Sequence, residues 1–186
     1  MGASAGSETL DDWVARAREG DRAAYDRVFA ETYRELNAIA HQARRRLSGA
    51  TLDTTGLVHE CYLRLLKANP EAKTAAHFLA IAAQAMRHLL IERARARVAG
   101  KRGAGAIQVD LDDADPAEIK DAQELLEIDD LLRKLAAHEP EQAAVVECRF
   151  FGGLSDADTA SALGLSPRTV QRQWARAREW LAAHGG

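Results

Sequence analysis

Ser166, Arg168, Thr169, Gln171, Arg172 and Arg176 lie close together near the end of a 186-residue chain, and their side chains suit one chemistry. Arginine forks match guanine edges and phosphate oxygens, and glutamine pairs with adenine, so the set is equipped to read DNA. At about 100° per residue, Arg168 and Arg172 point to one side of a helix. Thr169 and Gln171 sit beside them, with Arg176 one turn further along. Val170, Trp174, Ala177 and Leu181 recur at i, i+4, i+7 and i+11 and make an apolar stripe on the opposite side. A helix seated by that stripe presents its basic, amide-bearing face outward, as a major-groove helix requires. A solvated arginine face on an ordinary surface helix is the competing reading.

The elements that must hold these residues are marked by their punctuation. Ser155 is an N-cap with Asp158 in capping-box position, Gly164 supplies a sharp turn, and Ser166 followed by Pro167 caps and opens a second helix. Phe151 to Leu181 therefore reads as a helix-turn-helix. Caps, turn, stripe and basic face agree with one another, which a chance surface helix does not require.

A second basic set comes earlier. A helix from about Ala75 to Ala99 carries Phe78, Ile81, Ala82, Ala85, Met86, Leu89 and Leu90 inward, with Arg87, His88, Arg93, Arg95 and Arg97 mostly outside. Lys101 and Arg102 continue it. This is either an electrostatic footprint for a phosphate backbone or a solvated charge run. Ahead of it, Leu10, Trp13, Val14 and Ala17 keep helical spacing, and Gly20 then Asp21 read as a stop and a fresh cap. One longer helix follows through Tyr25, Val28, Phe29, Tyr33, Leu36, Ile39 and Ala40. Arg44, Arg45 and Arg46 end it, suiting a helix C-terminus ahead of DNA contact. A helix begun near Asp53 buries Leu57, Val58, Cys61, Tyr62, Leu65 and Leu66, and Asn69 and Pro70 stop it.

Gly100 to Ala122 is glycine-rich and then acidic, with Pro116 inside it, and reads as a linker. Leu125, Ile128, Leu131, Leu132 and Leu135 begin a second helical unit that Glu139 and Pro140 end. Gln142 to Phe151 forms another helix. The fold class is all-α: two small helical domains, residues 1–99 and 123–186, joined by a flexible acidic linker over residues 100–122.

Composition narrows the function. With 47% hydrophobic and 28% charged residues the chain is globular, and no run reaches the roughly 18 apolar residues of a membrane helix. Neither a signal peptide nor a membrane partner is expected, which points to the cytoplasm. A net charge of -3 confines DNA contact to local patches. Cys61 and Cys148 read as small buried thiols; His59 beside Cys61 lacks a second ligand pair, so no metal or cofactor is expected. No phosphate loop, nucleophile elbow or paired-carboxylate motif occurs, so the chain reads as no enzyme.

The segments DTTGLVHECYLRLL (Asp53 to Leu66), FLAIAAQAMRHLLIERAR (Phe78 to Arg95) and VVECRFFGGLSDADTASALGLSPRTVQRQWARAREWL (Val145 to Leu181) resemble a bacterial sigma factor of the extracytoplasmic-function (ECF) group. The resemblance covers nearly the whole chain. It implies that sigma domain two binds the clamp helices of core RNA polymerase and reads and melts the minus-ten element. Sigma domain four, at the polymerase flap, would read the minus-thirty-five element of promoter DNA. It assigns clamp contact to Asp53, Thr54, Thr55, Gly56, Leu57, His59 and Glu60, and minus-ten contact to Arg87, His88, Arg93, Arg95 and Arg97. Minus-thirty-five contact falls to Ser166, Arg168, Thr169, Gln171, Arg172 and Arg176.

Two positions depart from the family pattern. The clamp-binding helix usually opens with several carboxylates, whereas here Asp53 is followed by Thr54, Thr55 and Gly56. Each lost charge-assisted hydrogen bond removes about 1.5 to 3 kcal/mol. Phosphorylation by a Ser/Thr protein kinase at Thr51, Thr55 or Thr54, Thr51 first, would return about -1.5 to -2 charge at a helix N-terminus. The wording TLDTTGLVHE also resembles the branch that answers to such kinases; simple capping by these threonines is the alternative. The second departure is Ile81, where an aromatic residue is usual, together with His88 in place of asparagine. DNA opening would then lean on Pro70 to His77, Arg87 and His88. A LuxR-type regulator would share the helix-turn-helix but needs a sensor or receiver domain ahead of it. A polymerase-binding adaptor would leave Arg168, Gln171 and Arg172 without a role.

Overall fold

Capping side chains decide where the helices begin. The computed structural model describes residues 8–45, 53–100 and 116–185. Thr9 and Asp12 form a reciprocal capping box at α1 (Leu10–Arg18). Asp21 accepts from the Ala24 amide at the start of α2 (Arg22–Glu31), as its place after Gly20 predicts. The single long helix expected next is instead two, α2 and α3 (Tyr33–Arg44), divided at Thr32. Thr32 is buried, and its hydroxyl donates to the Val28 carbonyl at 2.8 Å. A back-bonded threonine of this kind bends a helix, which periodicity does not reveal.

Asp53 caps α4 (Thr54–Ala68), and Asn69 closes it in the left-handed region at φ 43. The N-terminus of α5 (Ala75–Gly100) is held from outside its own segment: the Ala75 amide donates to Asp11 Oδ1 of α1 at 2.8 Å. Helix α6 (Pro116–His138) starts inside the stretch expected to be linker, with proline at a position suited to a first helical turn. Pro140 does not merely end a helix; it opens α7 (Pro140–Val146). The expected helix from Gln142 to Phe151 changes character at Glu147 and finishes as one π-helical turn, Glu147–Phe151. Helices α8 (Asp156–Leu163) and α9 (Pro167–His184) complete an all-α fold, with no strand among the described residues.

Tyr25, Phe29, Tyr62 and Phe78 meet edge-on or tilted in the first half, with Phe29 and Tyr62 centroids 4.8 Å apart. Burial pushes the Tyr25 hydroxyl and the Cys61 and Cys148 thiols up, the thiols to about 12. The hydrophobic core does not stop at the N-terminal half. α5 packs against α3 and α4 on one side, and against α6, α8 and the π-turn on the other. One cluster therefore runs from Val14, Leu36 and Met86 to Leu125, Leu135 and Phe151. A smaller cluster of Val145, Ala160 and Val170 seats the helix-turn-helix.

Candidate nucleic-acid interface

The helix-turn-helix is built as its punctuation predicts. Ser155 accepts from the Asp158 amide at 3.0 Å, and Ser166 accepts from the Thr169 amide at 3.1 Å. Gly164 takes φ 69, so the turn needs a residue without a Cβ penalty. Val170 and Ala177 are fully buried, with Trp174 and Leu181 half-buried beside them. That seating turns Arg168, Arg172 and Arg176 outward; all three are exposed and make no hydrogen bond or ion pair among the described residues.

Their polar neighbours are pre-engaged. Ser166 and Thr169 share a hydroxyl contact of 2.9 Å, and Gln171 donates to Asp156 Oδ2 at 3.0 Å. Asp156 also pairs with Arg149 at 3.0 Å, and the Arg149 guanidinium lies 4.7 Å from the Trp174 ring centroid. The Gln171 amide is thus held at the mouth of the turn by α8, while the three arginines stay available.

The basic set on α5 is arranged differently. Arg87, expected on the outside, is 5% exposed and lies under the C-terminal half. It donates to Asp129 of α6 and, at 2.6 Å, to Glu147 of the π-turn. It also meets His88 Nε2 at 3.1 Å. The outward-facing reading fails because periodicity on α5 cannot register a second layer of helices arriving from 40 to 60 residues downstream. Burial first, and then the Arg87 charge, hold the His88 imidazole below its ordinary pKa of 6.5. Arg93 pairs with Glu60, Arg95 with Asp129 at 3.0 Å, and Arg97 is half-buried. Ile81 is half-buried on the same helix. Where the chain enters α5, Thr74 accepts from the His77 amide at 3.1 Å and His77 Nδ1 accepts from the Lys73 amide at 3.2 Å.

At the start of α4, Asp53 accepts from the Gly56 amide at 2.6 Å, and the first turn carries no acidic residue. Arg44 donates to the Thr54 hydroxyl at 3.2 Å, and Thr55 is exposed. Thr51 lies outside the described residues, as do Lys101, Arg102 and Arg46. Leu57, grouped with the contact residues, is instead fully buried, so it can position the helix but offers no surface. His59 is exposed and stacks on Tyr62, and Glu60 faces Arg93.

Two features escaped the sequence reading. Leu63, 49% exposed, sits one turn beyond His59 on α4; its position off the apolar stripe was the available signal. Asp129 and Glu147 had no signal, because only packing brings them to Arg87. No helix among the described residues is long and apolar enough to cross a membrane, and no group of metal-ligating side chains occurs among them.

A family model described as ECF sigma factor matches residues 7–185. The solved structure of CnrH in complex with the cytosolic domain of CnrY matches with 20% sequence identity and a TM-score of 0.42, covering 95% of this chain and 96% of that one. Among curated proteins, none matches the chain.

Proposed function

Because this chain belongs to the ECF sigma factor family, we propose that it docks on core RNA polymerase through the outer face of α4 and reads promoter DNA with two helices. Sigma factors of this family bind core polymerase and promoter DNA and direct where transcription starts; bond formation is left to the polymerase. In this reading α9 takes the minus-thirty-five element through Arg168, Gln171, Arg172 and Arg176, with Ser166 and Thr169 at its first turn. α5 takes the minus-ten element through His88, Arg93, Arg95 and Arg97, joined by Arg87 once it is uncovered. The site of action is the bacterial cytoplasm.

The observation that carries this reading is the arginine face of α9, exposed and unpaired among the described residues. Exposed side chains of one sign, on a helix fixed by two caps and a buried stripe, are prepared for an anionic partner. Run-off transcription with core polymerase tests it. Wild type should initiate from a matched promoter, and an Arg168→Ala, Arg172→Ala protein should not. Equal transcription by both would defeat the assignment. Tight operator binding without polymerase would restore the LuxR-type regulator, which the helical first half disfavours.

The clamp contact rests on Asp53, Thr54, Thr55, Gly56, His59 and Glu60, with exposed Leu63 adding an apolar anchor. Phosphorylation of Thr51, Thr55 or Thr54 by a Ser/Thr kinase supplies the missing charge. Supporting it are the acid-free first turn of α4, the exposure of Thr55 and the position of Arg44 beside Thr54. A phosphate there gains the helix N-terminus and a guanidinium partner. Thr51→Glu or Thr55→Glu should raise core-polymerase affinity about tenfold, the equivalent of roughly one charge-assisted hydrogen bond. A protein with all three threonines changed to alanine that activates fully in cells would discard the switch.

A further inference from the structure

Asp129 is 3% exposed, yet three guanidinium groups converge on it: Arg87 and Arg95 from α5, and Arg133 from its own helix. Glu147 takes the other side of Arg87 and also accepts from Gln84 of α5 at 2.9 Å. Every carboxylate in this network comes from the C-terminal half, and the α5 cations it holds are ones assigned above to promoter DNA. Phe151 closes the apolar side, its ring centroid 5.8 Å from the Arg87 guanidinium carbon.

We propose that Asp129 and Glu147 form an intramolecular latch that adds to the shared apolar core, holds the C-terminal half over α5 and keeps the free protein in a self-masked state. The inhibitory part rests on the sigma-factor reading; the latch itself does not. The masking runs opposite to the simplest expectation for a two-part DNA-binding chain, since the recognition face of α9 stays exposed while Arg87 of α5 is covered. Charge competition supplies the release. The Arg95 and Arg133 side chains are 51% and 59% exposed and border an open cleft of about 190 Å³. A polyanion can therefore engage Arg95 first, weakening the hold on Asp129 before Arg87 is reached. Arg87 is the stronger part of the latch, because a buried charge stripped of its partners is strongly unfavourable. Covering α5 also separates two activities: the chain can scan with α9 without opening DNA with α5.

The test uses the full-length chain with spin labels at Arg34→Cys on α3 and Ala182→Cys on α9, both exposed positions; native Cys61 and Cys148 are buried and label poorly. Distances are measured in the otherwise unchanged protein, in Glu147→Gln and in Asp129→Asn/Glu147→Gln, with helix content checked by circular dichroism. The unaltered latch should give one narrow distribution, and the double variant a broader and longer one. Minus-ten DNA opening with core polymerase should rise roughly tenfold in the double variant if the open form is about a tenth of the starting population. Should the double variant lose helix content, Glu147→Gln, at the half-buried end of the network, carries the same comparison. Unchanged distances in a folded variant overturn the latch. Opened halves with unchanged DNA opening overturn its inhibitory role. If no protein binds core polymerase the sigma-factor reading fails, and the label distances still decide the latch.

Discussion

Arg172 illustrates what a single exposed side chain can be asked to do. It has no partner among the described residues, so its removal should leave the fold little changed, and its effect should fall on DNA. If it makes a bidentate guanine contact, Arg172→Ala costs about 1 to 3 kcal/mol in promoter affinity and relaxes sequence preference at one position; competition binding against promoter variants reads both. His88 gives a pH dependence. Its folded pKa lies below 6.5, so below that pH the unfolded chain binds more protons and stability falls as pH drops through the folded value. His88→Asn should flatten that part of a urea-denaturation series taken between pH 7.5 and 5. The buried thiols act at the other end. With Cys61 and Cys148 raised to about 12, their contribution is complete below pH 9.0 and declines as pH rises towards the folded values. Both should react slowly with a thiol reagent at pH 8 and rapidly after denaturation.

At the scale of the element, the caps carry the argument. Ser166 satisfies the Thr169 amide and sits one residue before Pro167, so Ser166→Ala should cost about 1 kcal/mol in thermal or urea unfolding. Gly164→Ala at φ 69 should destabilise by a similar amount, about 1 to 2 kcal/mol, with nothing nearby for the new methyl to strike. A larger loss at Gly164 would show that the turn meets a neighbour and that strain alone is not the cause. The π-turn explains why the second half packs as it does. A Cβ at Gly152 would come within 3.1 Å of the Ala83 Cβ, so the segment just after the turn lies directly on α5. The extra residue in that turn places Cys148 and Phe151 inward while Glu147 reaches Arg87.

For the whole molecule, the decisive feature is that the two halves share a core while being tied by buried charge. Arg87→Ala takes a partner from largely buried Glu147 and Asp129 and should cost about 3 to 5 kcal/mol. Replacing the network by apolar groups, as in Arg87→Met/Asp129→Leu/Glu147→Met, should recover most of that loss, because no buried charge then remains unpaired. Chemical denaturation of both variants checks the pair of outcomes. Failure of the apolar triple to recover stability would mean that Arg95 and Arg133, left without Asp129, are not rescued by their exposure.

Local events could be read from the chain's residues alone. The oxygen caps at Asp21, Asp53, Ser155 and Ser166 were legible because the hydrogen bond spans three residues and needs no distant partner, whereas those at Thr9 and Thr74 went unread. The α9 recognition face was legible for the same reason: its stripe and its arginines lie on one short helix. The break at Thr32 was not, since it hinges on one hydroxyl choosing the Val28 carbonyl. The fate of the α5 cations was not either. Arg87 and Arg95 both read as outward cations, yet one is buried and the other half in water, because α6 and the π-turn enclose Arg87 while Arg95 reaches Asp129 from the rim. Periodicity distinguishes an apolar from a polar face. Whether a polar face meets solvent or a matching set of buried carboxylates depends on chain returning from far along the sequence, and no local pattern records that return.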